Sequence, residues 1–236
     1  MVWSTAEDVN KEVLETIHNG MRHAHFTCSI EFQREHIDKL ALLHERLKRL
    51  RYYSISKSDE PHANAAFRAQ KLVLGTKNFL EMWVLLKEEK PAEAWDKLAE
   101  AQVAFEITQR ILFDADTHEL LLHLLSVERT VFPPQMFVSS AYTYPEAFCS
   151  ICEQRYGDCD HIKGRIYMGQ ICRRKIPKSN LCEMSIVINP DDKRCRITDY
   201  TEDGKVYCTL TRREIPQTKP VDPAVTCASG CMQRFD

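Results

Sequence analysis

Through its first 148 residues the chain carries one cysteine, Cys28, and two glycines, Gly20 and Gly75. No stretch reaches the ~18 uncharged apolar residues of a membrane-spanning helix, and the opening MVWSTAEDVNKEV lacks the basic start and apolar run of a signal peptide. These shortages lead us to expect a soluble, cytoplasmic protein with no membrane partner. No G-x-x-x-x-G-K phosphate loop, G-x-S-x-G elbow or G-x-G-x-x-G run occurs, so readings that need a nucleotide cradle or an activated serine find no support, and no small-molecule cofactor is evident. The net charge of −2 does not mark the whole chain as a binder of nucleic acid or membrane.

What is present is divided unevenly. Nine of the ten cysteines follow residue 148, and the remaining glycines lie between Gly157 and Gly230. Residues 1–148 carry 17 basic and 22 acidic side chains, net −5, whereas 149–236 carry 15 and 12, net +3. At 236 residues the chain is long enough for one large domain or two smaller ones. We expect a helical bundle over 1–132, a linker over 133–148, a zinc-knuckle-like β module over 149–215 and an extended tail over 216–236.

Helical spacing dominates the first part. Ser4-Thr-Ala-Glu7 has the form of a capping box, followed by Val9, Val13, Ile17 and Met21 at helical intervals. Ile37, Leu40, Leu43, Leu47 and Leu50 form a second stripe, and a third helix is expected from about Pro61 to Lys87. Pro91 suits a helix's first turn, and Asp116 or Thr117 can cap a fifth helix that Pro133-Pro134 must end. Five amphipathic helices with short links predict an antiparallel bundle. The segment Pro91–Phe105 resembles a single tetratricopeptide-type helix pair through its leading proline and its Trp, Leu and Ala placement. No second copy follows thirty-four residues on, so it is read as bundle packing.

Beyond residue 180 the period changes to two. In KRCRITDYTEDGKVYCTLTRR a Glu-Asp-Gly turn joins two alternating runs, which predicts a hairpin with Cys195 and Ile197 on the same face as Val206, Cys208 and Leu210. Glu183–Ile188 is expected as a third strand. The fold class is therefore α+β: about five helices, then a small zinc-stabilised module with a hairpin or a three-stranded antiparallel sheet.

The densest chemistry is CSICEQRYGDCDH, residues 149–161, with the spacing C-x2-C-x6-C-x-H. Two thiolates of one tight turn can chelate an ion while a second pair approaches from the other side, so Cys149, Cys152, Cys159 and His161 are the expected ligands of a structural zinc. All four positions would be filled, leaving none for a substrate. A segment so poor in apolar residues would order itself through metal binding. Buried free cysteines are the bland rival, and a redox pair at Cys149 and Cys152 lacks a thioredoxin-like context. Cys172, Cys182 or the pair Cys227 and Cys231 could replace a ligand or build a second site.

This cluster is similar in compactness to retroviral-type zinc knuckles, with the histidine placed last. Its C-x-H pair resembles that of RING fingers, but the further C-x2-C pair a RING requires is missing, which argues against ubiquitin ligation. Asp160-His161-Ile162 resembles the start of an HNH nuclease, implying a metal-dependent cleavage whose second histidine could only be matched by an asparagine such as Asn180 or Asn189. The spacing also resembles short C-x2-C…C-x-H segments of bacterial and phage proteins, which implies a prokaryotic origin.

His118-Glu119…His123 looks like a zinc-protease motif, yet its histidines are five apart and turn about 140° away from one another on a helix. His18, His23, His25, His36 and His44 read as solvated or capping. Arg165, Arg173, Arg174, Lys175 and Lys178, with Tyr156 and Tyr167, could hold nucleic acid by phosphate contacts and stacking. The leading functional expectation is a non-catalytic zinc-binding adaptor or complex subunit with a protein partner or homo-oligomer. Nucleic-acid binding beside the zinc is the alternative, and an HNH-like nuclease the third.

Overall fold

The structure, a computed structural model, describes residues 6–112 and 114–216. Five helices come first: α1 (Ala6–Arg22), α2 (Ile30–Ser56), α3 (Glu60–Lys87), α4 (Pro91–Ile111) and α5 (Ala115–Val131). Eight short strands follow: β1 (Phe137–Thr143), β2 (Phe148–Cys149), β3 (Ile166–Tyr167), β4 (Gln170–Ile171), β5 (Arg174–Lys175), β6 (Asn180–Val187), β7 (Asp199–Glu202) and β8 (Lys205–Cys208). The strands make four antiparallel two-stranded sheets, β1-β6, β2-β5, β3-β4 and β7-β8. The expected capping box and the tail with Cys227 and Cys231 lie outside the described residues or side chains.

The apolar spacing fixes the helices. Leu40, Leu43 and Leu47 of α2 are buried, as are Val73, Phe79, Leu80 and Met82 of α3 and Trp95, Leu98 and Phe105 of α4. Gly75 lets α3 and α4 approach closely, since a Cβ there would stand 3.0 Å from the Phe105 ring. Ser29 caps α2 by accepting the Phe32 amide, and Asp59 caps α3 by accepting the His62 amide. The α5 cap is neither Asp116 nor Thr117 but Asp114, whose carboxylate accepts the Thr117 amide at 2.8 Å and pairs with Arg68. No helix among the described residues is long and apolar enough to cross a membrane.

Contacts divide the chain into two compact units whose limits differ from the expected division. One takes the helices up to Leu125 together with Pro145–Lys178; the other takes Ser126–Tyr144 and the described residues from Ser179 onward. In the first unit the β3-β4 turn, Met168-Gly169, is left-handed at both residues, with φ of 45° and 68°. It docks on the start of α3: the Met168 amide donates to Glu60 Oε1 at 3.1 Å and the Gly169 amide to Asn64 Oδ1 at 2.7 Å.

In the second unit the hairpin β7-β8 has the expected even register, with Thr201 opposite Val206 and Asp203-Gly204 as a two-residue loop. Among the described residues no third strand joins it. The strand expected at 183–188 is β6, which begins earlier and pairs with β1, a strand inside the segment expected to be a linker. Val206 and Leu210 are buried, but so is Arg196, which lies between Cys195 and Ile197 in the sequence; its guanidinium reaches the Thr209 hydroxyl at 3.3 Å.

Candidate metal centre

Cys149 ends β2, where Cys149 pairs with Arg174 of β5. The chain then turns sharply: the Cys149 amide donates to the Gln154 carbonyl at 2.8 Å and the Glu153 amide to the Cys149 carbonyl at 3.0 Å. Within the turn the Ile151 amide points at the Cys149 sulfur, 3.4 Å away. Next, two tyrosines pin the loop that carries the histidine. The Tyr167 hydroxyl accepts the Ile162 amide and the Tyr156 hydroxyl accepts the Lys163 amide, each at 3.0 Å.

Through these devices one donor atom each from Cys149, Cys152, Cys159 and His161 lies within 4.8 Å of the others. The four residues expected from spacing are therefore brought together and could hold a metal ion. They form the only group of three or more such donors among the described residues. His161 Nδ1 is buried and has no hydrogen-bond partner, an orphan polar atom of the kind a metal site supplies. Its ring stands perpendicular to that of Tyr167, with 4.6 Å between centroids.

A fifth donor stands beside these four. Cys172, fully buried, places its sulfur 3.8 Å from that of Cys149. Two thiolates on the corners of a zinc tetrahedron, each ~2.3 Å from the ion, are themselves ~3.8 Å apart. Cys172 is held there by the hydrogen-bonded continuation of β3 and β4, its amide donating to the Arg165 carbonyl at 2.8 Å and its carbonyl accepting from the Gly164 amide at 2.9 Å. Of the other spare cysteines, Cys182 is exposed on β6 and belongs to the second unit, as does Cys208.

The thiols influence one another strongly. Burial opposes ionisation of Cys149, but the amides of Cys152 and Ile151 and the thiols of Cys172 and Cys152 converge on its sulfur and lower its pKa to about 6. Desolvation and the neighbouring sulfurs push Cys172 up to about 11. At Cys159 the His161 amide favours the thiolate, yet desolvation and the sulfurs of Cys152 and Cys149 raise the thiol overall. Packed thiols without a cation ionise one after another; a divalent cation would ionise them together.

The tyrosines and basic residues named from sequence take varied positions. Tyr156 and Tyr167 are engaged in the loop, and the Arg174 guanidinium lies 4.4 Å over the Tyr156 ring. Lys175 pairs with Glu153 at 2.9 Å, while Arg165 and Lys178 are exposed. Arg173 is half-buried. His123 packs its ring edge-on against Phe79, in keeping with the rejection of a protease motif. Sequence reading missed the stacking of His23 on His36 and the 3.6 Å approach of Cys28 to His23 Nδ1. The adjacency of His23 and Cys28 was the available signal.

Comparison with known protein families, with characterised proteins and with solved structures finds no match to this chain.

Proposed function

We propose that the protein is a non-catalytic adaptor or complex subunit whose cysteine-rich segment is held by one structural zinc. The observation that carries this reading is the convergence of four soft donors, Cys149, Cys152, Cys159 and His161, within 4.8 Å of one another, with the Cys172 sulfur 3.8 Å from that of Cys149. A tetrahedral ion takes four of them and keeps no position for water or substrate, which supports a structural role over a catalytic one. Thiolate and imidazole donors suit zinc among the common ions.

The helical unit supplies the partner-binding face in this reading. Leu42 of α2 is 69% exposed and lies at a groove between α1 and α2 lined also by Glu12, Thr16, His36, Lys39 and Arg46. Light scattering coupled to gel filtration tests it on protein from its native source and on recombinant chain. The expected result is an assembly heavier than the 27.4 kDa chain that dissociates in Leu42→Glu. A wild type that runs as a lone monomer in both preparations overturns the adaptor reading.

A second reading, nucleic-acid binding beside the zinc, is favoured by the exposure of Arg165, Arg174 and Lys178 on one short segment. It calls for binding of a single-stranded oligonucleotide that falls steeply with salt. Affinity indifferent to salt and to charge reversal at Arg165 and Lys178 removes it. The engagement of Tyr156 and Tyr167 with backbone amides weighs against a stacking role.

A further inference from the structure

Strands β1 and β6 form a two-stranded ribbon that turns an apolar face to water. In an antiparallel pair, residues directly opposite each other share a face, and faces alternate along each strand. Val138 stands opposite Ile186 and Ser140 opposite Met184; the extra residue at Cys182, a bulge, then brings Leu181 opposite Tyr142 on that same face. The other face carries Ser139, Ser185 and Glu183, with the Ser185 hydroxyl donating to the Glu183 carboxylate at 2.5 Å. A solvated face of an antiparallel sheet ordinarily carries polar residues. Here Ile186 is 68% exposed and Ile188, just past the end of β6, is 78% exposed; Leu181, Met184 and Tyr142 are exposed with them.

The face holds no charged side chain, so it has nothing to offer a charged partner. The exposed parts of Tyr142, Leu181, Met184, Ile186 and Ile188 amount to on the order of 600 Å² of mostly apolar surface, the upper end of the patch a monomer leaves uncovered. Two such faces closed on each other remove on the order of 1,200 Å², where stable specific interfaces begin. A lone two-stranded ribbon is also marginal in water until further strands or a covering layer join it. A second ribbon laid across the apolar face supplies that layer, and a two-fold axis sets the stripe against itself with no charge left to pair.

We propose that the apolar face of the β1-β6 ribbon is the contact between two copies of this chain, packed face to face as a four-stranded sandwich. The contact gives the complex-subunit reading a specific partner, a second copy. Its surface is separate from the α1-α2 groove and uses none of the metal-binding thiols.

Light scattering coupled to gel filtration of the recombinant full chain tests it across a wide range of concentration. The wild type should run as a dimer, at twice the 27.4 kDa of one chain. Met184→Glu/Ile186→Glu should weaken the association by about a hundredfold or more, with the helical circular dichroism unchanged. Ser139→Glu, on the polar face, should leave the dimer intact. Leu42→Glu should release whatever the α1-α2 groove binds and also leave this pair of chains together. In hydrogen exchange the β6 amides should gain protection as the dimer forms. A wild type that is monomeric at every concentration overturns the proposal; β6 amides already protected in that monomer would mean that the chain covers its own face, and cosedimentation with phosphatidylcholine vesicles that a lipid surface does. A dimer unmoved by Met184→Glu/Ile186→Glu, or broken equally by Ser139→Glu, overturns it as well. Protein from its native source that is heavier than one chain, beside a recombinant chain that stays monomeric, would remove this contact and keep the adaptor reading.

Discussion

Along α3, Val73, Phe79, Leu80 and Met82 are removed entirely from solvent, whereas across residues 145–178 the buried residues are Ala147, Cys149, Gly169 and Cys172, none larger than cysteine. The two regions pack into one compact unit, yet they are ordered by different means. The helices bury apolar side chains at helical spacing, a contribution of about 1.5–3 kcal/mol for each large residue. The cysteine-rich segment has nothing comparable to bury. It has hydrogen-bonded turns, two tyrosine hydroxyls that hold a loop, and a knot of thiols. Our account assigns to a metal the stabilisation that the helices draw from apolar burial.

Stripping the metal should expose that contrast most sharply. Structural zinc contributes on the order of 10–16 kcal/mol in small metal-ordered folds. Chelation, or Cys149→Ser with Cys152→Ser, should therefore abolish amide protection across 145–178 while α2, α3 and α4 keep theirs in hydrogen exchange. Protection lost equally from the helices would mean that the two regions are not ordered independently.

The converse change is Phe105→Ala. Phe105 is fully buried and lies against Gly75, so its removal should cost about 3–5 kcal/mol in chemical denaturation. Metal content of the folded protein should stay unchanged. A variant that lost its metal along with its stability would show the segment leaning on the bundle for ligand geometry.

Gly169→Ala probes the joint between the regions. Its φ of +68° strains any side chain, and the new Cβ would meet the Ala63 carbonyl and the Arg51 stem at 3.0 Å. We expect a loss of about 1–3 kcal/mol, read as faster exchange of the Met168 and Gly169 amides and weaker competition against a chelator. An unchanged exchange rate would separate the turn from the docking.

The smallest effect concerns pH. Burial lowers the pKa of His44, and burial followed by the charge of His23 lowers that of His36, both from an ordinary 6.5. Below that value the unfolded chain takes up protons that the folded helices resist, so the unfolded state binds more protons and stability falls as the pH drops. Denaturant midpoints of a His36→Gln/His44→Gln chain should then vary less between pH 7.5 and 5.5 than those of the wild type. Equal slopes would show that other groups govern the acid limb.

How far the fold was readable follows from the range over which each element is determined. Helices were legible because stripes such as Leu40, Leu43 and Leu47 repeat within one element. The hairpin β7-β8 was legible for a similar reason, its two-residue loop fixing which residues face each other. Strand β1 was not: Phe137–Thr143 is mostly exposed and carries no strong alternation, and its partner β6 begins 37 residues later. Asp114 was overlooked as a cap because the apolar run left two later candidates equally placed.

The metal centre divides along the same line. Cys149, Cys152, Cys159 and His161 were found from local spacing and do converge. Cys172 was only one of several spare cysteines in the sequence. Its approach to Cys149 depends on two short ribbons, β2-β5 and β3-β4, whose pairing no local pattern dictates.

Elemental analysis of protein purified without added metal, comparing wild type with Cys149→Ser/Cys152→Ser, addresses the central claim most directly. One zinc per wild-type chain, absent from the double variant together with a lower Tm, is the result expected here. A wild-type chain that is folded, ordered across 145–178 and free of metal would contradict it, and would return those thiols to packing alone.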